Sequence, residues 1–282
     1  APTKAIAKIA NKFAKKYVRY QRVCLIDTPQ KRRKALELTA IEDVWGIGRR
    51  LSAKLRQQNI NTAYDFSCLN PRDVRREMTV TGERLWRELN GEPCLDLEIV
   101  SPDKQQICTS RSFGHMLTRL EDLREAVATH ATKCAAKLRA QNSCAGAVMT
   151  FIQTNRFRDD LPQYYHNQIL KFPLATSDSR EIAHLALAAL ERLYKPGFQY
   201  KKAGVILLEI VPQNAVQLNL FSERNWEKSN RLMAAIDKIN QGCHQNKVKL
   251  AVEGSGRSWR LKHEQLSPCY STDFKQIISV KG

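Results

Sequence analysis

The chain has 282 residues, 43% of them hydrophobic and 26% charged, with a formal net charge of +18 and a pI near 9.7. That length is enough for about two domains, and no apolar run approaches the roughly 20 residues that cross a bilayer. A membrane-spanning helical protein is excluded, no secretory signal is read, and a cytoplasmic setting is expected.

Charge is unevenly spread. Residues 1–60 carry 15 Lys/Arg against 4 Asp/Glu, a net +11; residues 61–221 are nearly neutral at +2, and residues 222–282 return to +5. Basic ends of this kind suit a polyanion such as nucleic acid and exceed what solubility alone requires. The eight cysteines, Cys24, Cys68, Cys94, Cys108, Cys134, Cys144, Cys243 and Cys269, form no Cys-x-x-Cys pair and follow no zinc spacing, so reduced, scattered thiols are expected.

In chain order, "APTKAIAKIANKFAKKY" predicts an amphipathic helix, with Ile6, Ile9, Ala10, Phe13 and Tyr17 at helical spacing and Pro2 in the first turn. Lys4, Lys8, Lys12, Lys15 and Lys16 fill much of the opposite side, as a solvated face or as a binding face. The chain begins at Ala1 inside this pattern, so it is expected to be a portion of a longer protein. "RVCLID" predicts a buried strand and "TPQKRRK" a basic linker. Short helical patterns then fill residues 33–92, broken by Gly46, Gly48, Pro71, Gly82 and Gly91, which predicts a small all-helical domain.

Residues 106–212 change character. "QICTSRSFG", "AGAVMTFIQT", "YHNQILKFP" and "YKKAGVILLEIVP" predict strands. "RLEDLREAVATHATKCAAKLRAQ" and "TSDSREIAHLALAALERLY" predict helices, the second capped by Ser177 or Asp178. The order β-α-β-β-α-β predicts a four-stranded sheet with two helices on one face, leaving the other face to meet solvent or a ligand. Beyond residue 222, "ERNWEKSNRLMAAIDKIN" predicts a helix; "VKLAVEG", "SWRLKHEQ" and "QIISV" read as short strands or extended tail. The fold class expected is α+β.

The strongest local motif is "IEDVWGIGRRLSAKLRQQNINTAYDF". One helix ends, Gly46-Ile47-Gly48 turns tightly, and another helix starts near Arg49: a helix-hairpin-helix. Its glycines let the backbone approach a phosphate, and the N–H groups at the next helix start bind it; Arg49 and Arg50 stand beside it. Trp45 is counted with Gly46, Ile47, Gly48, Arg49 and Arg50 in this DNA-binding set, as a packing residue in preference to a base-stacking one. "TGERLWRELNGEP", with Gly82, Arg84 and Arg87, is a fainter echo, a second hairpin lying against the first. In "ICTSRSFG", Ser110, Arg111 and Ser112 sit on a strand whose side chains point toward phosphates if the bare sheet face meets DNA.

No catalytic centre is found. Asp96 and Glu98 alternate on an extended stretch without a third carboxylate, Asp159-Asp160 read as turn residues, and the six histidines are isolated. One loop motif is left over: Gln217-Leu218-Asn219-Leu220-Phe221 follows the last strand and offers three large apolar side chains where loops usually hide or omit them.

These stretches, in this order, resemble the Y-family translesion DNA polymerases. The opening helix looks like the last palm helix, "VWGIGRRLSAKL" like the thumb hairpin, and the βαββαβ unit like the little finger. "GEPC", "SRSFG", "YKKAGV", "QLNLF" and "LSPCYST" are similar to the UmuC-type branch, the catalytic subunits of bacterial DNA polymerase V, in chromosomal or mobile-element form. The resemblance divides the chain into the end of the palm (1–28), thumb (29–100), little finger (101–212), clamp-binding peptide (213–222) and C-terminal tail (223–282).

The resemblance implies error-prone, damage-bypass synthesis in SOS repair and mutagenesis, by two-metal nucleotidyl transfer with Mg2+ in the full-length polymerase. The metal-binding carboxylates belong to palm motifs that this chain does not contain, so it is expected to bind no metal and to be inactive by itself. It implies Lys15 as the palm lysine that meets the incoming triphosphate, with Lys4 and Lys8 as basic neighbours. It implies 217–221 as a sliding-clamp peptide, and as partners primer-template DNA, the clamp, a UmuD′-type dimer and the RecA filament, with no membrane. Asn59 stands where the family usually has Gly, a position Asn tolerates. The rival reading is a stand-alone, non-enzymatic DNA-binding adaptor that competes for the clamp. An RNA-binding module lacks its usual aromatic pair in the strands.

Overall fold

The computed structural model describes residues 1–96, 102–216, 226–242, 247–255, 259, 266–270 and 272–277. They fall into two units, Ala1–Ser101 and Pro102–Gly282.

The first unit is helical. Helix α1 (Lys4–Lys16) is capped by Thr3, whose Oγ1 accepts from the Ile6 amide at 3.4 Å and donates to the Glu88 carbonyl at 2.8 Å. Ile6, Ile9, Ala10 and Phe13 are buried as the periodicity predicts. They pack with residues from α2 (Pro29–Glu37), α3 (Arg49–Gln57), α4 (Ala63–Ser67) and α5 (Pro71–Leu89) around Leu36, Ile41, Leu55, Phe66 and Leu89.

Two expectations fail here. "TPQKRRK" is no linker: Thr28 caps α2 through the Lys31 amide, Pro29 takes the first helical position, and the basic run is helix. "RVCLID" forms no strand. Only Ile26 enters the core, while Val23 and Leu25 are 76% and 59% exposed; a strand needs a ladder partner, and none pairs with it among the described residues. Helix α5 is also interrupted. Thr79 has φ 62° and ψ −169°, outside helical space, so its last ten residues start afresh as a second helical run.

The second unit is a sheet of β1 (Ile107–Leu117), β2 (Ser143–Thr154), β3 (Tyr165–Thr176) and β4 (Tyr200–Pro212), in the order β1-β4-β2-β3. Every neighbouring pair is antiparallel. Strands β1 and β2 therefore run parallel with β4 inserted between them, and β3 and β4 do so with β2 between them. Helices α6 (Leu120–Ala140) and α7 (Ser179–Leu193) join these parallel pairs and pack on one face, burying Phe113, Leu123, Val148, Ile152, Ile182, Leu190, Val205 and Leu207. The α7 cap is Asp178, which accepts from the Arg180 amide at 2.8 Å.

Helix α8 (Trp226–Gly242) forms as expected in the tail. The stretch "VKLAVEG" holds a 3₁₀ turn at Ala251–Glu253 and "QIISV" begins in one at Phe274–Gln276; no strand occurs among the tail's described residues.

His130 on α6 is buried with neither ring nitrogen hydrogen-bonded among the described residues. Burial, reinforced by Lys133, Arg111 and Lys137, lowers its pKa to about 4. The folded chain thus holds the ring neutral where the unfolded chain protonates it below its ordinary 6.5. Stability contributed here is full above about pH 6.5 and is lost as pH falls toward about 4. Glu253, pushed upward by burial, works in the opposite direction. The measurement is therefore a difference: urea midpoints across this range should fall less steeply in His130→Leu than in the parent chain.

Candidate nucleic-acid interface

In the first unit the glycine turn is built as a close-approach surface. Gly46 has φ +99°, a conformation strained for any L side chain, and its Cβ position faces Leu85 Cδ2 at 3.5 Å. Ile47 is buried and anchors the turn. Gly48 is the N-cap of α3; it offers no capping side chain, and nothing lies within 4 Å of its Cβ position. The first amides of α3 therefore lack a side-chain cap, and Arg49 and Arg50 begin the helix exposed. The element before the turn is a single 3₁₀ turn, Ile41–Asp43, in place of the α-helix expected.

Around the axis of α1, Lys4, Lys8 and Lys15 fall within about 40° of one another, in a stripe about 16 Å long. Lys8 and Lys15 are exposed, and the Lys8 ammonium lies 6.0 Å from the ring of Trp45, which is 47% exposed. Lys4 is half-buried and donates to the Asp96 carbonyl at 3.1 Å. Lys12, off the stripe, pairs with Asp43.

The stretch expected to form a second hairpin is the last part of α5, with Gly82 inside the helix, and it lies beside the glycine turn. Trp45, Gly46 and Leu51 share the wall of one cavity, about 570 Å³, with Thr79, Gly82 and Arg84. Arg87 is turned inward on Glu83 at 2.7 Å.

In the second unit the register places three cross-strand rows on the face without helices. They are Ser112, Lys202, Gln153 and Tyr165; Ser110, Gly204, Phe151 and Asn167; and Cys108, Ile206, Met149 and Ile169. Lys202 stands 5.8 Å from the Phe151 ring centre. Gly204 leaves the space that ring occupies, since a Cβ there would meet Phe151 at 2.4 Å and Ser110 Cβ at 2.5 Å. The structure splits the predicted trio: Ser110 and Ser112 point to the open face, whereas Arg111 alternates to the helical side with Ile107 and Phe113. Lys202, Gln153, Phe151, Tyr165 and Asn167 are absent from the sequence-predicted set. Period-two alternation marks each of them, but their assembly into rows depends on pairing register, which sequence does not display.

Gln217, Leu218, Asn219, Leu220 and Phe221 lie outside the described residues, as does Glu98. Asp160 is held by Arg158 through two contacts of 2.7 and 2.6 Å. Among the described residues Cys24, Cys68, Cys94, Cys108, Cys134 and Cys269 are free thiols, and no group of three His, Cys, Asp or Glu side chains that would hold a metal occurs there. The Mg2+ implied by the resemblance therefore finds no fitting donor set there, and no metal-dependent step is assigned to these residues. No helix among them is long and apolar enough to cross a membrane.

Comparison with known proteins shows the family. The impB/mucB/samB family C-terminal domain matches residues 104–220, and a domain of unknown function, DUF4113, matches residues 230–280. The chain is 38% identical to the protein UmuC of Salmonella typhimurium over 100% of its own length and 67% of that protein's. It is 38% identical to the protein ImpB of the same organism over 98% and 66%, and 26% identical to DNA polymerase IV of Pelotomaculum thermopropionicum over 89% and 60%. The four-stranded unit is thus a domain of the Y-family DNA polymerase class. Within that class the chain belongs to the UmuC-type impB/mucB/samB family, and it spans about two thirds of the length of its UmuC-type relatives.

The two turn glycines are not equivalent. Gly46→Ala should cost about 1–2 kcal/mol because of its left-handed backbone, whereas Gly48→Ala, in open space, should cost only a few tenths to about 1 kcal/mol as a poorer cap. Equal urea midpoints for the two variants would contradict the turn geometry.

Proposed function

We propose that the chain is the DNA-gripping C-terminal part of an error-prone translesion DNA polymerase that acts in SOS repair and mutagenesis. The observation that carries the reading is the uncovered sheet face, where Lys202, two serines and two side-chain amides surround Phe151 opposite the helices. A face of this kind donates hydrogen bonds and positive charge to a phosphate backbone without reading sequence. The thumb-like helix-hairpin-helix adds backbone amides at Gly48 with Arg49 and Arg50. Lys15, with Lys4 and Lys8, is assigned to the incoming triphosphate, and the stripe they form supports the assignment. Transfer itself belongs to the carboxylate-bearing part of the full polymerase with its Mg2+, and the chain alone is expected to be inactive.

Binding to primer-template DNA should show no sequence preference and should weaken steeply with salt. Lys202→Ala should reduce the slope of log affinity against log salt by about 1, the signature of one lost phosphate contact. Affinity that is flat across salt would overturn the phosphate-grip reading.

Gln217 to Phe221 are assigned to the sliding clamp. Strand β4 ends at Pro212 and a 3₁₀ turn at Gln213–Ala215 leads directly into them. Gln217 would hydrogen-bond in one subsite, and Leu220 and Phe221 would fill an apolar one, a short anchor suited to transient docking. A UmuD′-type dimer and the RecA filament are the further partners the family resemblance supports. Burying each apolar anchor is worth roughly 1.5–3 kcal/mol, so Leu220→Ala with Phe221→Ala should abolish clamp binding while leaving the melting temperature and direct DNA affinity unchanged. A fall in melting temperature with clamp affinity intact would assign these side chains to the core.

A further inference from the structure

Among the described residues, the C-terminal tail is built into the second unit by Leu250 and Val252, which pack against its core, and by three polar or aromatic anchors. Ser229 Oγ on α8 donates to Asp178, the α7 cap, at 2.5 Å. Arg139 on α6 donates from Nε and Nη2 to both carboxylate oxygens of Asp237 at 2.6 and 2.7 Å, and from Nη1 to the Ser177 carbonyl at 2.7 Å. Trp259 is the third anchor. It is 4% exposed, and its ring meets Phe113 edge-on at 6.2 Å and His130 at 5.5 Å.

Trp259 enters where the sheet is weakest. Among the described strands, β1 lies at the edge and its ladder partner is β4. Its ladder is regular from Ile107 to Ser112, then shifts, and resumes only at Leu117 opposite Tyr200. In that gap the Gly114 amide donates to the Trp259 carbonyl at 3.2 Å, and Lys201 Nζ donates to the Phe113 carbonyl at 2.6 Å. A tail residue and a lysine side chain replace the missing rungs one residue beyond Ser112. An irregular edge without such partners frays, and fraying moves the side chains beside it.

We infer that Trp259, within the domain of unknown function, is a positioning residue: it pins the irregular part of β1 and thereby fixes Ser110 and Ser112 on the open face of the sheet. The inference rests on the DNA-contacting reading of that face only for its consequence on binding, and the pinning is measurable without DNA.

The test uses the whole chain with Trp259→Ala and Trp259→Phe, reading amide hydrogen exchange by residue alongside DNA affinity. Trp259→Ala should speed exchange at residues 110–114 by about tenfold or more while α7 and β3 keep their protection. It should weaken DNA binding by about fivefold, as misplaced positioning contacts do, and Trp259→Phe should restore both. Should Trp259→Ala not fold, Trp259→Leu, which keeps apolar volume without the ring edge, gives the same readout. Unchanged exchange at 110–114, or loss of protection spread evenly over the unit, overturns the inference. If exchange rises as expected while neither this change nor Lys202→Ala alters DNA affinity, the pinning stands and the DNA-contacting reading of the face fails.

Discussion

Two helices cover one face of a four-stranded sheet and, among the described residues, none covers the other; the rest of the second unit follows from that constraint. The constraint is topological. Each βαβ crossover returns its helix to the same side, and each crossover here is split by an intervening antiparallel strand, so α6 and α7 lie together over the core. Strands β4 and β2 are central, and so carry apolar residues on both faces. Ile206 and Met149 face outward beside Lys202, Gln153 and Phe151. The open side is consequently a mixed surface, polar in the row from Ser112 to Tyr165 and apolar in the row from Cys108 to Ile169, and this separates it from an ordinary solvated face.

In the first unit charge is selected by pairing as much as by number. Of the 15 basic residues in 1–60, five are locally matched: Lys12 with Asp43, Lys31 with Asp27, Arg33 with Glu37, Lys54 with Glu77 and Arg56 with Glu42. Exposed pairs of this kind add little stability, but they cancel field. Lys8, Lys15, Lys16, Arg49 and Arg50 form no ion pair among the described residues, and they sit on α1 and at the start of α3. Arg19, Arg22, Arg32 and Lys34 are likewise without an ion pair among the described residues, so the lysine stripe and the glycine turn are distinguished less by charge than by backbone amides and side chains open to an anion.

Legibility in the sequence tracked how local the determining interaction is. Helices α1, α6 and α7 and all four strands were readable from periodicity, because burial of one face imposes it within a single segment. The glycine turn was readable because Gly46 adopts a backbone conformation that other residues avoid. Residues 22–27 were misread because an apolar run states that something is buried, not that a strand partner exists. Helix α2 was misread because the weight given to its charge obscured the Thr28-Pro29 start signal. The break at Thr79 has no glycine to announce it. Arg111 was grouped with Ser110 and Ser112 by proximity in sequence, although strand alternation alone separates them.

The tail was the least legible part, and its docking shows why. Its polar and aromatic anchors, Ser229, Asp237 and Trp259, are spaced far apart with no repeating pattern between them, and its apolar contacts with the core, Leu250 and Val252, form too short a stretch to set one. Two of the anchors engage groups already committed elsewhere. Asp178 caps α7 and also pairs with Arg180; burial pushes its carboxyl up, but the hydrogen bonds from Arg180 and Ser229 outweigh burial and hold it at about 2. Trp259 instead brings an indole N–H that finds no partner among the described residues, against a histidine whose ring nitrogens find none there either. Each such buried donor or acceptor costs about 1–3 kcal/mol, a deficit that a general-purpose core residue, Leu or Phe, would not incur. An aromatic at this cost beneath an edge strand is explained by what its backbone and ring edge supply together: a rung for Gly114 and a flat contact for Phe113, at the point where β4 has stopped pairing with β1.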